Sequence, residues 1–141
     1  MTALPAKIIR GGSSKGVYLD IRDLPPSGAA RDEIIMKVFG SPDQRQIDGL
    51  GGADKLTSKL AVMGPSTRED CDVDYLFGQV GIELPRIDWK SNCGNISSGA
   101  ALWGALQGMG RTLGDHMEVC VHQVNVGRRI RCAVPHRDGL P

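Results

Sequence analysis

The run from Ile96 to Leu106 constrains this chain more than any other segment. Ala100, Ala101, Leu102, Trp103, Ala105 and Leu106 occupy the whole circumference of a helix, and no charged side chain follows until Arg111. A helix that is apolar all round has to be enclosed. In a chain of 141 residues there is room for one core, so the remaining elements must supply that enclosure.

Those elements read mainly as strands. Lys7 to Arg10 and Val17 to Leu19 flank a Gly/Ser turn, Gly11 to Gly16, and predict a hairpin. After Pro25-Pro26, Arg31 to Phe39 places Ile34, Ile35 and Val38 at helical spacing, with Gly40 as C-cap, which predicts an amphipathic surface helix. Ser41 to Asp54 is rich in Gly, Asp and Pro and predicts an ordered, irregular loop. Thr57 to Met63, Val73 to Ile82, Arg86 to Trp89, Met117 to Val126 and Arg129 to Val134 are strand-like, the last with Ile130, Cys132 and Val134 in period two. About seven strands with two helices in mixed order predict an α+β fold, a mixed β-sheet wrapped around a central buried helix, with one additional surface helix.

Composition narrows the function. Seventeen Lys and Arg against sixteen Asp and Glu leave a net charge of +1, which gives no electrostatic case for nucleic acid or an anionic membrane. Aromatic residues are only 4%, against base-stacking platforms. No segment approaches the roughly 20 apolar residues of a membrane span, and Met1 to Arg10 lacks the apolar run of a signal peptide, so a cytoplasmic location is expected. Cys71, Cys93, Cys120 and Cys132 are too dispersed for CxxC pairs and His116, His122 and His136 share no ligand spacing, so free thiols and no metal are expected. The acidic residues Glu69, Asp70, Asp72 and Asp74 read as a solvated approach to a strand.

Three small-residue turns can expose backbone N–H groups as anion nests: Gly11 to Gly16, Gly49 to Gly52 and Asn92 to Asn95. Asn92-Cys93-Gly94-Asn95 immediately precedes the enclosed helix, where free amides and the positive end of the helix dipole favour a thiolate at Cys93 and a bound anion. The same pattern also describes a cysteine that is merely packed. Lys59, among the apolar and small residues of Thr57-Ser58-Lys59-Leu60-Ala61-Val62, reads either as an edge charge or as a desolvated amine able to act as a general base. Arg45 and Asp48 suit either a bound anion or an ion pair that ties down their own loop.

Several strings go further. Ile9-Arg10-Gly11-Gly12-Ser13-Ser14-Lys15-Gly16, Gly40-Ser41-Pro42-Asp43, Arg45-Gln46-Ile47-Asp48-Gly49-Leu50-Gly51-Gly52, Thr57-Ser58-Lys59, Asp72-Val73-Asp74-Tyr75-Leu76-Phe77-Gly78-Gln79-Val80 and Asn92-Cys93-Gly94-Asn95 resemble the PrpF family, in order and along nearly the whole chain. Ser13 stands where the family usually has Thr. The resemblance implies a diaminopimelate epimerase-like fold of two similar domains with the site in the cleft between them. It implies an isomerase or tautomerase that shifts an allylic proton in a small-molecule polycarboxylate such as 4-oxalomesaconate or 2-methylaconitate, without a cofactor. Lys59 and Cys93 are then the acid/base pair, Cys93 serving as donor, relay or polariser. Ser13, Ser14, Gly51, Gly52, Ser58, Asn92, Gly94 and Asn95 line the substrate. Residues 1–135 correspond to the N-terminal domain and 136–141 to a polar tail, with the family's C-terminal domain lying outside this chain. The expected consequences are a homodimer replacing that domain or a non-catalytic binding domain.

Overall fold

The computed structural model describes residues 3–141. Eight strands form one mixed sheet: β1 (Ala6–Gly11), β2 (Ser14–Asp20), β3 (Lys59–Pro65), β4 (Val73–Val80), β5 (Ile87–Asp88), β6 (Arg111–Leu113), β7 (His116–Gln123) and β8 (Arg128–Pro135). The path runs β1-β2-β3-β4-β7-β6, with β5 beside β4 and β8 beside β7. The β2–β3 and β4–β7 pairings are parallel and the rest antiparallel. Two α-helices, α1 (Ala29–Phe39) and α2 (Ser97–Leu106), and a short 3-10 helix at Ile21–Asp23 complete the described residues. None is long and apolar enough to cross a membrane.

Period two sorts the central strands onto two faces, and both are buried. Leu60 and Val62 of β3 join Val17 and Leu19 of β2 and Ile35, Met36 and Phe39 of α1 in one cluster. Ala61 and Met63 turn the other way, to Tyr18, to Val73, Tyr75 and Phe77 of β4, and to Cys93, Ile96 and the alanines of α2. Small residues let α2 come this close. A Cβ at Gly99 would overlap the Tyr18 hydroxyl, and one at Gly104 would sit 2.9 Å from Val73 Cγ1. Ser97, Gly99, Ala100, Ala101, Trp103, Gly104 and Ala105 of α2 are buried.

Four expectations change. β6 has no counterpart in the sequence reading, because its three residues are all exposed and lie between Gly110 and Gly114. On α1, Ile35 is buried as expected and Val38 packs against the core, but the buried side is extended by Arg31, Met36 and Phe39, and Ile34 is not part of it. Arg31 is tolerated there because its guanidinium lies 4.4 Å over the Trp89 ring. Gly40 does close α1 in the left-handed region, at φ 74°. The acidic run is solvated as expected at Glu69, Asp70 and Asp72, which are exposed, but Asp72 and the half-buried Asp74 also tie the fold together. Asp74 accepts from Ser66 Oγ (2.9 Å), Thr67 Oγ1 (2.7 Å) and His122 Nδ1 (2.8 Å), and Asp72 accepts from the Cys120 amide at 2.7 Å. Finally, Arg45 and Asp48 form no ion pair among the described residues, and their loop is tied by Gln46.

Candidate active site

Lys59 opens β3, an interior strand held between β2 and β4, so the edge-charge reading does not apply. Its cross-strand neighbours are Gly16 and Gln79. The side chain points to the α2 face with Ala61 and Met63, and the residue is only 7% exposed. Its Nζ lies 3.5 Å from Cys93 Sγ, 3.5 Å from Gln79 Oε1 and 5.2 Å from the Phe77 ring centroid. Cys93 is itself 6% exposed. Two groups that can exchange a proton therefore meet out of water, 34 residues apart in sequence.

The segment before α2 is anchored from the sheet. Tyr75 Oη donates to the Cys93 carbonyl at 3.0 Å and Tyr18 Oη donates to the Ile96 carbonyl at 2.7 Å. Ser97 Oγ adds a bond to the Cys93 carbonyl at 3.2 Å. Burial, reinforced by the nearby Cys93 sulfur, pushes both phenols well above the usual tyrosine range, so they remain donors. The Ser97 amide donates to the Gly94 carbonyl at 3.2 Å, and with no side-chain cap at Ile96 the next amide, of Ser98, is left for an anion. Asn92, Gly94 and Asn95 are exposed, and nothing lies within 4 Å of where a Cβ on Gly94 would be.

The β1–β2 hairpin tip meets this segment. Asn95 Nδ2 donates to Ser13 Oγ at 3.1 Å and lies 3.5 Å from Ser14 Oγ. Gly11 makes the approach feasible, since a Cβ there would overlap the Asn95 carbonyl. Ser13, Ser14, Asn95 and Cys93 thus belong to one locale, with Lys59 beneath it.

Gly51, Gly52 and Ser58 do not fit the role the resemblance implies for them. The Gly51 amide donates to Phe39 O at 3.2 Å and that of Gly52 to Thr57 O at 3.3 Å, so neither is free for an anion. Ser58 lies on the opposite face of β3 from Lys59. It is fully buried, donates to Val80 O at 2.8 Å and accepts from Gln46 Nε2 at 2.9 Å. Sequence reasoning also missed Gln79, which alternation places on the Lys59 face and whose neighbour Phe77 already pointed inward. Gln79 further lines an open groove of about 580 Å³ with Gln44, Ala53, Leu84 and Arg86.

The other thiols differ. Cys71 and Cys120 are less dispersed than their spacing suggests, with sulfurs 3.5 Å apart on the outer side of the sheet. Burial and the shared hydrogen bond push Cys71 up to about 12, so it stays a thiol at neutral pH. Among the described residues no three His, Cys, Asp or Glu side chains cluster as a metal site.

The chain is 46% identical to the 3-methylitaconate isomerase of Eubacterium barkeri over 136 residues, covering 96% of this chain and 36% of that protein. It is 45% identical to the 4-oxalomesaconate tautomerase of Pseudomonas putida over 138 residues, covering 98% and 38% respectively. A crystal structure of methylitaconate-delta-isomerase superposes with a TM-score of 0.93 at 46% identity, over 97% of this chain and 35% of that one. A hydroxyproline epimerase from Agrobacterium vitis shares the fold at a TM-score of 0.60 and 11% identity. The chain therefore spans little more than a third of the length of the relatives it matches. The family described as "PrpF protein" matches residues 1–140, and with these relatives it shows that the chain belongs to the PrpF family.

Proposed function

We propose that this chain carries the proton-transfer half of an isomerase acting on an unsaturated di- or tricarboxylate of the 3-methylitaconate, 4-oxalomesaconate or 2-methylaconitate kind, the acids in its relatives' names. The observation that supports this most is the buried 3.5 Å contact between Lys59 Nζ and Cys93 Sγ beside the start of α2. The C–H bond next to a conjugated carboxylate or keto group is acidic because the resulting dienolate spreads its charge onto oxygen. Lys59 takes that proton, and the dienolate receives a proton at its other terminal carbon, with Cys93 as donor, relay or polariser. The double bond moves, and atoms and oxidation state balance. The amides of Gly94, Asn95 and Ser98, with Ser13, Ser14 and the Asn95 side chain, hold the carboxylate on which charge develops.

In this reading α2 is the central helix around which the sheet wraps, and the face carrying Asn92 to Asn95 receives a second wall from a further domain or a second copy. Ultraviolet absorbance of each of the three acids, followed with the wild-type chain and Lys59→Ala, tests it. Turnover of one acid that falls by at least about 100-fold in the variant is expected of a general base. No turnover of any of them would leave a carboxylate-binding domain without chemistry, and undiminished turnover in Lys59→Ala would remove Lys59 from the mechanism.

A further inference from the structure

Gln79 grips Lys59 at both ends. Its Nε2 donates to the carbonyl of Ser58, the residue before Lys59, at 2.9 Å, and to the carbonyl of Lys55 at 3.1 Å. Both amide hydrogens are then committed, which fixes the orientation of the side chain. Its Oε1 is left facing Lys59 Nζ at 3.5 Å, across the directly paired register of β3 and β4. A lysine stem has four rotatable bonds, and an amine free to wander would seldom stand opposite one sulfur. Of the groups around Nζ, Phe77 offers an aromatic face and Cys93 a thiol, so Gln79 supplies the oxygen acceptor.

The identity of that acceptor matters. A carboxylate at this position would place a full negative charge beside Lys59 and compete with Cys93 for its amine, whereas a neutral amide oxygen orients one N–H and adds no charge to the pair. We infer that Gln79 is a positioning residue which aims the Lys59 amine at Cys93 without adding charge to the pair. This rests on Lys59 and Cys93 being the proton-transfer pair, so the test separates the two claims.

The rate of Cys93 alkylation by iodoacetamide at pH 7, read by peptide mass spectrometry, measures how well the lysine supports the thiolate, whether or not the chain turns over any acid. Cys120 and Cys132 in the same sample report any general loosening. Lys59→Met should slow Cys93 about tenfold, and Gln79→Met, which keeps the volume, should slow it several-fold with Cys120 and Cys132 unchanged. In the double variant Gln79→Met should add less than a factor of two to Lys59→Met. Gln79→Ala serves as a second variant should the methionine pack badly. The inference is overturned if the Gln79 change has no effect on its own, or if it has the same effect with and without Lys59. The pairing of Lys59 with Cys93 is overturned instead if Lys59→Met leaves the rate untouched, and the inference falls with it.

Discussion

Two loops that look alike in sequence, Gly49 to Gly52 and Asn92 to Asn95, have opposite fates. In the first, the amides of Gly49, Leu50, Gly51 and Gly52 all donate to backbone carbonyls, and the Ala53 amide donates to Gln46 Oε1 at 2.8 Å. In the second, it is the carbonyls that are engaged, by Tyr75, Tyr18, Ser97 and, through Asn95 O at 3.0 Å, Ser98. Glycine in the first loop permits dense packing, and in the second it leaves space at Gly94. A run of small residues therefore identifies a place where backbones come close, and only the partners decide whether its donors remain for a ligand.

That contrast can be broken at either loop. Gly49→Ala should have the largest effect, because its Cβ would overlap the Gly40 nitrogen and the Phe39 carbonyl carbon, backbone atoms that cannot step aside. A loss of about 3 kcal/mol in denaturant unfolding is expected, with the Lys59–Cys93 contact intact in whatever folds. Gly11→Ala meets the Asn95 carbonyl and should cost about 2 kcal/mol, here with amide NMR shifts concentrated at residues 92–98. Ser58→Ala strands the Val80 carbonyl and removes a partner of Gln46, for roughly 1–2 kcal/mol, and should leave carboxylate binding unchanged. A weakened carboxylate complex in Ser58→Ala would return this residue to the substrate. Asn95→Ala should cost less than about 0.5 kcal/mol, as its side chain is exposed. Mesaconate titrated against it should nevertheless shift the amides of residues 94–98 less than in the wild type.

Acid tests a region outside both loops. Burial opposes ionisation of Asp74, yet hydrogen bonds from Thr67, His122 and Ser66 outweigh it and hold the carboxyl below its ordinary value. The unfolded chain then binds this proton more readily than the folded one. The contribution is complete above the usual aspartate range and is lost as pH falls through the depressed native value. Asp74→Asn should flatten the acid side of the stability curve, and an unchanged slope would assign acid sensitivity elsewhere.

Much of the fold was legible because it is written in local periodicity: Val17 and Leu19 against Tyr18, or Leu60 and Val62 against Ala61, sort themselves onto two faces. The lack of charge marked α2 as a helix with a wide buried face, but enclosure all round went too far, since Ser98 and Leu106 are exposed. Lys59 was ambiguous for a physical reason. Whether a strand is interior depends on the parallel pairing of β2 with β3 across the whole of α1 and the glycine loop, which no local pattern encodes. The internal hydrogen bonds of Gly51, Gly52 and Ser58 were not legible, since Gln46, the polar residue at the centre of that region, is buried to 1% exposure in a stretch that reads as an irregular loop. Arg31 was hidden for the same reason, a cation buried under the ring of Trp89, far away in the chain.

The two phenols under the α2 segment bear on timing. Tyr18 and Tyr75 fix the peptide dipoles at Ile96 and Cys93 when the chain folds, long before any anion arrives. Solvent facing a newly formed charge has to turn its molecules toward it and spends free energy doing so, whereas these peptide groups are already turned. The cost of that alignment is met once, out of folding stability, and is not charged again at each encounter. Tyr75→Phe would convert a fixed polar surface back into one that must rearrange.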